Sequence, residues 1–108
     1  MERIPASLEV SSMIRRVQAA GGFGTVLHKG EPDAGTILVV LMENGVGSRL
    51  YERMPTLEGH REWMLTRAES VENKQEFQEY LDRRVRQDRD TWIIELDIVN
   101  GERFIGDS

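Results

Sequence analysis

"TILVVLMENGVGSRLYERM", residues 36–54, is the stretch that decides the architecture. From Ile37 to Met42 every side chain is apolar, and the run is short, Val-rich and ended by a turn signal, which marks a strand. A strand apolar on both sides belongs near the centre of a sheet, covered at least in part on both faces. "NGVG", residues 44–47, is a strong hairpin signal, because Asn and Gly tolerate the positive φ that tight hairpin turns require. "SRLYERM", residues 48–54, then returns antiparallel, and alternation puts Arg49, Tyr51 and Arg53 on one face.

Upstream, Val10, Met13, Ile14 and Val17 follow helical spacing and form one apolar stripe. A helix is expected over residues 7–20, with Ser7 as its N-cap and Glu9 in the first turn, where the dipole favours a negative charge. Gly21 and Gly22 stop it, and residues 23–29 read as the first strand. Gly22 at this corner is expected to resist substitution through backbone strain, so that Gly22→Val lowers stability. "EPDAG", residues 31–35, supplies the turn into the second strand.

Downstream, residues 55–59 turn and residues 61–67, with Trp63 and Leu65, form a fourth strand. Asn73 and Glu76 have capping-box spacing before a second helix with the stripe Phe77, Tyr80, Leu81 and Val85. Glu79 with Arg83 and Asp82 with Arg86 are favourable i, i+4 pairs on it. In the last strand, residues 91–99, Trp92, Ile94, Leu96 and Ile98 face one way and Ile93, Glu95, Asp97 and Val99 the other. Asn100-Gly101 turns the chain, and "RFI" at 103–105 is expected to add a short return strand. The resulting order, α-β-β-β-β-α-β, predicts a single α+β domain over residues 1–108: a two-layer sandwich of a mostly antiparallel sheet with both helices on one face.

The 108 residues are 39% hydrophobic and 31% charged, as in a globular chain. The absence of cysteine removes disulfides, iron–sulfur clusters and thiolate zinc sites. "MERIPASLEV" has no apolar run of secretory type, and residues 37–42 are far too few to span a bilayer, so the expected location is cytoplasmic, with no membrane association. The net charge of −5 disfavours nucleic acid as a partner unless a local patch overrides it. Residues 31–81 hold ten acids against five bases.

"GGFGTVLHKG", residues 21–30, resembles the phosphate loop of a protein kinase in its letters. Its context is wrong: Ala19 stands where the first glycine of G-x-G-x-x-G belongs, a helix precedes it, and the next strand has no lysine. No P-loop string is present, and a Rossmann loop needs the reverse order, strand then helix. His28 and His60 lack the spaced co-ligands of a zinc site, so no metal and no cofactor are expected.

Glu95 and Asp97 share a strand face about 7 Å apart, a spacing open to acid–base work with His28 or to cross-strand pairing with Arg49, Tyr51 and Arg53. Arg83, Arg84, Arg86 and Arg89 form the one basic cluster, open to phosphate or RNA but interleaved with Asp82, Asp88 and Asp90 and without stacking aromatics. A complete catalytic constellation is missing. The leading expectation is a non-enzymatic binding or protein-interaction domain using Arg49, Tyr51, Arg53, Glu95 and Asp97, with a protein partner or self-association. A small acid–base enzyme or ligand-binding protein on Glu95 and Asp97 is the alternative, and RNA or nucleotide binding on the Arg83–Arg89 cluster a further one.

Taken together, "IRRVQAAGGFGTVLHKGEPDAGTILV" (14–39), "RLYERMP" (49–55) and "WIIELDIVNGERFIGD" (92–107) resemble a family of small alphaproteobacterial proteins, domain-of-unknown-function family 1491. The chain departs from the family pattern at Glu31, where the turn carries Asp, and in lacking a proline near Arg89. The resemblance implies an α+β domain of a bacterial cytoplasm and assigns neither an activity nor catalytic residues.

Overall fold

In the computed structural model, which describes residues 4–105, the expected helices and strands form in the expected order. They are α1 (Ala6–Ala19), β1 (Phe23–His28), β2 (Ile37–Glu43), β3 (Val46–Pro55), β4 (Arg61–Ala68), α2 (Lys74–Gln87) and β5 (Trp92–Asp97). The class is α+β, with one sheet of strand order β1-β5-β2-β3-β4. Three of the four pairings are antiparallel, and β5 lies parallel to β2.

β2 is central, and Ile37, Leu38, Val39, Val40 and Leu41 are almost fully buried on both sides. Ile37, Val39 and Leu41, with Trp92, Ile94 and Leu96, pack under Val10, Met13 and Val17 of α1. Leu38, Val40, Leu50 and Ile93 pack under Phe77 and Leu81 of α2. The two helices therefore cover opposite faces, which corrects the expected two-layer arrangement to three layers. The reason is topological. A strand parallel to its neighbour must be reached by a crossover, and α2 provides it across one face on the way from β4 to β5. The doubly apolar β2 then needs α1 on the other face, and each Leu, Ile or Val so covered contributes about 1.5–3 kcal/mol.

Local chemistry also differs from expectation at the element ends. Ser7 does not cap α1. The helix begins at Ala6 after Pro5, and the N–H groups of Ala6 and Ser7 donate to the carbonyls of Asp33 and Pro32 at 3.0 and 2.8 Å. Asn73 precedes α2 as expected, but its carboxamide ties the preceding loop, accepting from the Ser70 N–H at 2.6 Å and donating to the Ala68 carbonyl at 3.2 Å. Residues 103–105 add no strand: Gly101–Phe104 is a 3₁₀ turn. In the β2–β3 turn Asn44 and Gly45 both have positive φ, 54° and 77°, as a two-residue hairpin demands. Among the described residues no helix is long and apolar enough to cross a membrane.

Candidate functional site

Because α1 lies over β1, β5 and β2, the same face of β3 and β4 is left without a helix. An open groove of about 1000 Å³ runs there between α1, the β3–β4 hairpin and the 3₁₀ turn. Leu8, Met13, Trp63, Phe104 and Ile105 give it apolar surface. Its charged lining is Arg15, Arg16, Arg53 and Arg61 against Glu9 and Glu62.

The pairing register places Tyr51 opposite Val39 and Arg49 opposite Leu41, so Arg49, Tyr51 and Arg53 do share a face, and it is this one. The Arg53 guanidinium donates to both carboxylate oxygens of Glu9, at 2.8 and 3.0 Å, and stacks on Trp63 at 4.6 Å. It thereby braces α1 against the hairpin. Deeper along β3, the Tyr51 hydroxyl donates to Glu102 at 2.8 Å, and Arg49 lies 3.4 Å from the same carboxylate. Burial, and then the hydrogen bond to Glu102, raise the Tyr51 hydroxyl above its ordinary pKa. Burial opposes ionisation of Glu102, but the Tyr51 hydrogen bond, its own backbone N–H and the Arg49 charge hold its carboxyl below the ordinary range. Nε and Nη2 of Arg49 are inaccessible and meet no partner among the described residues.

Two of the groove's charges are neutralised locally: Glu9 by Arg53, and Glu62 by His60 at 2.8 Å when that imidazole is protonated. Among the described residues Arg61 reaches only the Arg53 carbonyl, at 3.3 Å. Arg15 and Arg16 make no ion pair among the described residues, so their charge faces the groove and solvent.

Glu95 and Asp97 stand on the opposite face, because Glu95 pairs with Val40 and Asp97 with Met42. The structure does not bring them to Arg49, Tyr51 and Arg53. Asp97 closes the β2–β3 turn instead, accepting from the N–H groups of Asn44 at 2.7 Å and Gly45 at 2.9 Å. Glu95 is half-buried without a hydrogen bond among the described residues; burial first, and then the Asp97 charge, raise its pKa. His28 is opposite Ile93, two residues from Glu95 and four from Asp97 along β5, with Nδ1 against the Thr91 carbonyl at 2.8 Å. The three groups do not converge on one reacting position.

The Arg83–Arg89 cluster is divided. Arg84 bonds the nearly buried Glu52, whose carboxylate also accepts from Thr66 at 2.7 Å and Tyr80 at 3.1 Å. Arg86 lines a small groove with Leu27, His28 and Val85, and Arg83 and Arg89 are exposed. Burial would raise the Glu52 carboxyl, but the bonds from Arg84, Thr66 and Tyr80 and the Arg84 charge hold it below the ordinary range. This Glu52 cluster fastens α2 to β3 and β4. Sequence reasoning missed it, since a single Glu within a strand carries no local sign of burial. It missed Glu9, Arg15, Arg16, Arg61 and Trp63 as groove residues for a related reason: only packing sets α1 beside the hairpin. For Glu9, Arg15 and Arg16 the one local signal was the polar side of the α1 pattern.

The family model described as "Protein of unknown function (DUF1491)" matches residues 4–106. The chain belongs to the DUF1491 family. Similar solved structures agree in fold. A DUF1491 family protein from Caulobacter crescentus CB15, known from a crystal structure, is 29% identical with a TM-score of 0.82, covering 95% of both chains. An NMR structure of a DUF1491 family protein from the same organism is 28% identical, with a TM-score of 0.79 over 97% of this chain and 94% of that one. Protein Atu0922 from A. tumefaciens is 30% identical, with a TM-score of 0.75 over 96% and 93%. No curated protein matches the chain. The DUF1491 description carries no activity, so function rests on the groove's own chemistry.

Proposed function

We propose that the chain is a non-enzymatic binding domain whose groove holds an acidic, partly apolar segment of a partner protein. One observation carries this reading. In a chain of net charge −5, four arginines and two glutamates line a groove of about 1000 Å³ with an apolar floor. Its glutamates already have partners in Arg53 and His60, while Arg15 and Arg16 have none among the described residues. A segment alternating carboxylates with apolar side chains matches both properties. Rim charges of this kind act chiefly on encounter rate and specificity, while the apolar floor supplies affinity.

The test is a fluorescence-anisotropy titration with a fluorescein-labelled peptide of glutamates and interspersed leucines. Saturable binding is expected, weakening with salt and weakened further by Arg15→Glu with Arg16→Glu. Equal binding of a neutral peptide of the same length, or an undiminished response in the charge-reversed variant, overturns the reading. So does preferential binding of a single-stranded oligonucleotide.

A further inference from the structure

The two edges of the sheet are built differently. β4, at one edge, carries Arg61, Glu62 and Arg67, the kind of charge that keeps an open strand from pairing with another chain. β1, at the other edge, has no such protection. No Asp, Glu, Lys or Arg occurs between Arg16 and Lys29, and β1 itself reads Phe-Gly-Thr-Val-Leu-His. Three of its apolar side chains face solvent: Phe23 is 72% exposed, Leu27 49% and Val26 42%. Among the described residues nothing pairs with its outer backbone groups, since β5 alone lies beside it, on the inner side.

The order of side chains along this edge is self-complementary. Phe23 and Thr25 lie opposite Asp97 and Glu95, on the α2 face, while Gly24 and Val26 lie opposite Leu96 and Ile94, on the α1 face. The irregularity between Val26 and His28 leaves Leu27 among α2-face residues, in the small groove with Leu81 and Ile93. Antiparallel pairing of β1 with the β1 of a second copy, about a two-fold axis at Thr25, sets Phe23 of each copy against Leu27 of the other on the α2 face. On the α1 face it sets each Val26 against the other's Gly24. Gly24 suits that place, because the Ile14 side chain already presses on it: a Cβ there would lie 2.8 Å from Ile14 Cγ2. Every β1 side-chain pair so formed joins apolar, small or hydroxyl groups, and none of them carries a charge.

The geometry points to β1 as a self-association edge, through which two copies of this chain join their sheets into one continuous sheet. This surface is separate from the groove and stands without it. An isologous contact of this kind closes on itself and yields a dimer. It uses five residues a side, well short of the roughly 20–30 of a standard interface, so the dimer is reversible and depends on concentration.

Sedimentation velocity of the full chain over a concentration series tests it. The wild type shifts from monomer toward dimer as concentration rises. F23K with V26K, both at exposed positions, stays monomeric at every concentration with unchanged circular dichroism and thermal midpoint, and M64K on β4 behaves as the wild type. In a mixed isotope-labelled wild-type sample, intermolecular NOEs connect Phe23 with Leu27, a measurement independent of how any variant folds. A wild-type chain that stays monomeric at the highest concentration overturns the inference, as does a dimer that survives F23K with V26K or NOEs that map to β4.

Discussion

Two glutamates on the α2 face respond to burial in opposite directions. Glu52 is held ionised by Arg84, Thr66 and Tyr80. Removing it strands the half-buried Arg84, so Glu52→Ala is expected to cost about 1–3 kcal/mol in urea unfolding. Its folded-state pKa is depressed, so its stabilisation is complete above the ordinary carboxylate pKa and disappears as pH falls through the folded value. Glu95 has a raised pKa instead, with no hydrogen bond among the described residues to offset its burial. Above that raised value its charge weighs against the folded state, and the penalty fades as pH falls toward the unfolded value. Glu95→Gln therefore raises the thermal midpoint at pH 7, and the gain shrinks in acid; an equal gain at both pH values contradicts this. Neither environment is visible in the residue types alone. Alternation showed only which neighbours share a face.

At the scale of elements, the corner between α1 and β1 divides its work between two glycines. Gly21 takes the left-handed conformation, with φ of 94°, and a Cβ there meets nothing. Gly22 is needed for space. A Cβ on it would lie 2.7 Å from the Asp97 carbonyl oxygen and 2.8 Å from Val17 Cγ1 and Ile98 Cβ. The expected sensitivity of Gly22 stands, but its cause is crowding rather than backbone strain. Gly22→Val is expected to cost about 1–3 kcal/mol, read as a lower thermal midpoint. Gly21→Asn is milder, because Asn tolerates positive φ. The helix stop was legible as a glycine pair; which glycine does which depends on β5 running past the corner.

For the whole molecule, the groove and the β1 edge lie at opposite ends of the strand order, the groove over β3 and β4 and the free edge on β1. Sites that share no residues act independently when nothing two-state links them. Arg15→Glu with Arg16→Glu is therefore expected to leave the sedimentation profile unchanged, and F23K with V26K to leave peptide affinity within twofold. Loss of both properties in either variant would show the two surfaces to be coupled.

Local pattern alone determined the elements, their order, the doubly covered β2, the Asn44-Gly45 hairpin and the shared face of Arg49, Tyr51 and Arg53. These follow from periodicity and turn chemistry, which act between residues close in the chain. Only the tertiary structure decided that β5 slots between β1 and β2, that the helices take opposite faces, and that Glu95 and Asp97 point away from Arg49, Tyr51 and Arg53. Those outcomes depend on registers between strands more than fifty residues apart, as Val40 with Glu95 and Phe23 with Asp97. A one-residue change in such a register exchanges the faces of a whole strand. The groove is a product of the same pairing: placing β5 beneath α1 is what leaves β3 and β4 uncovered.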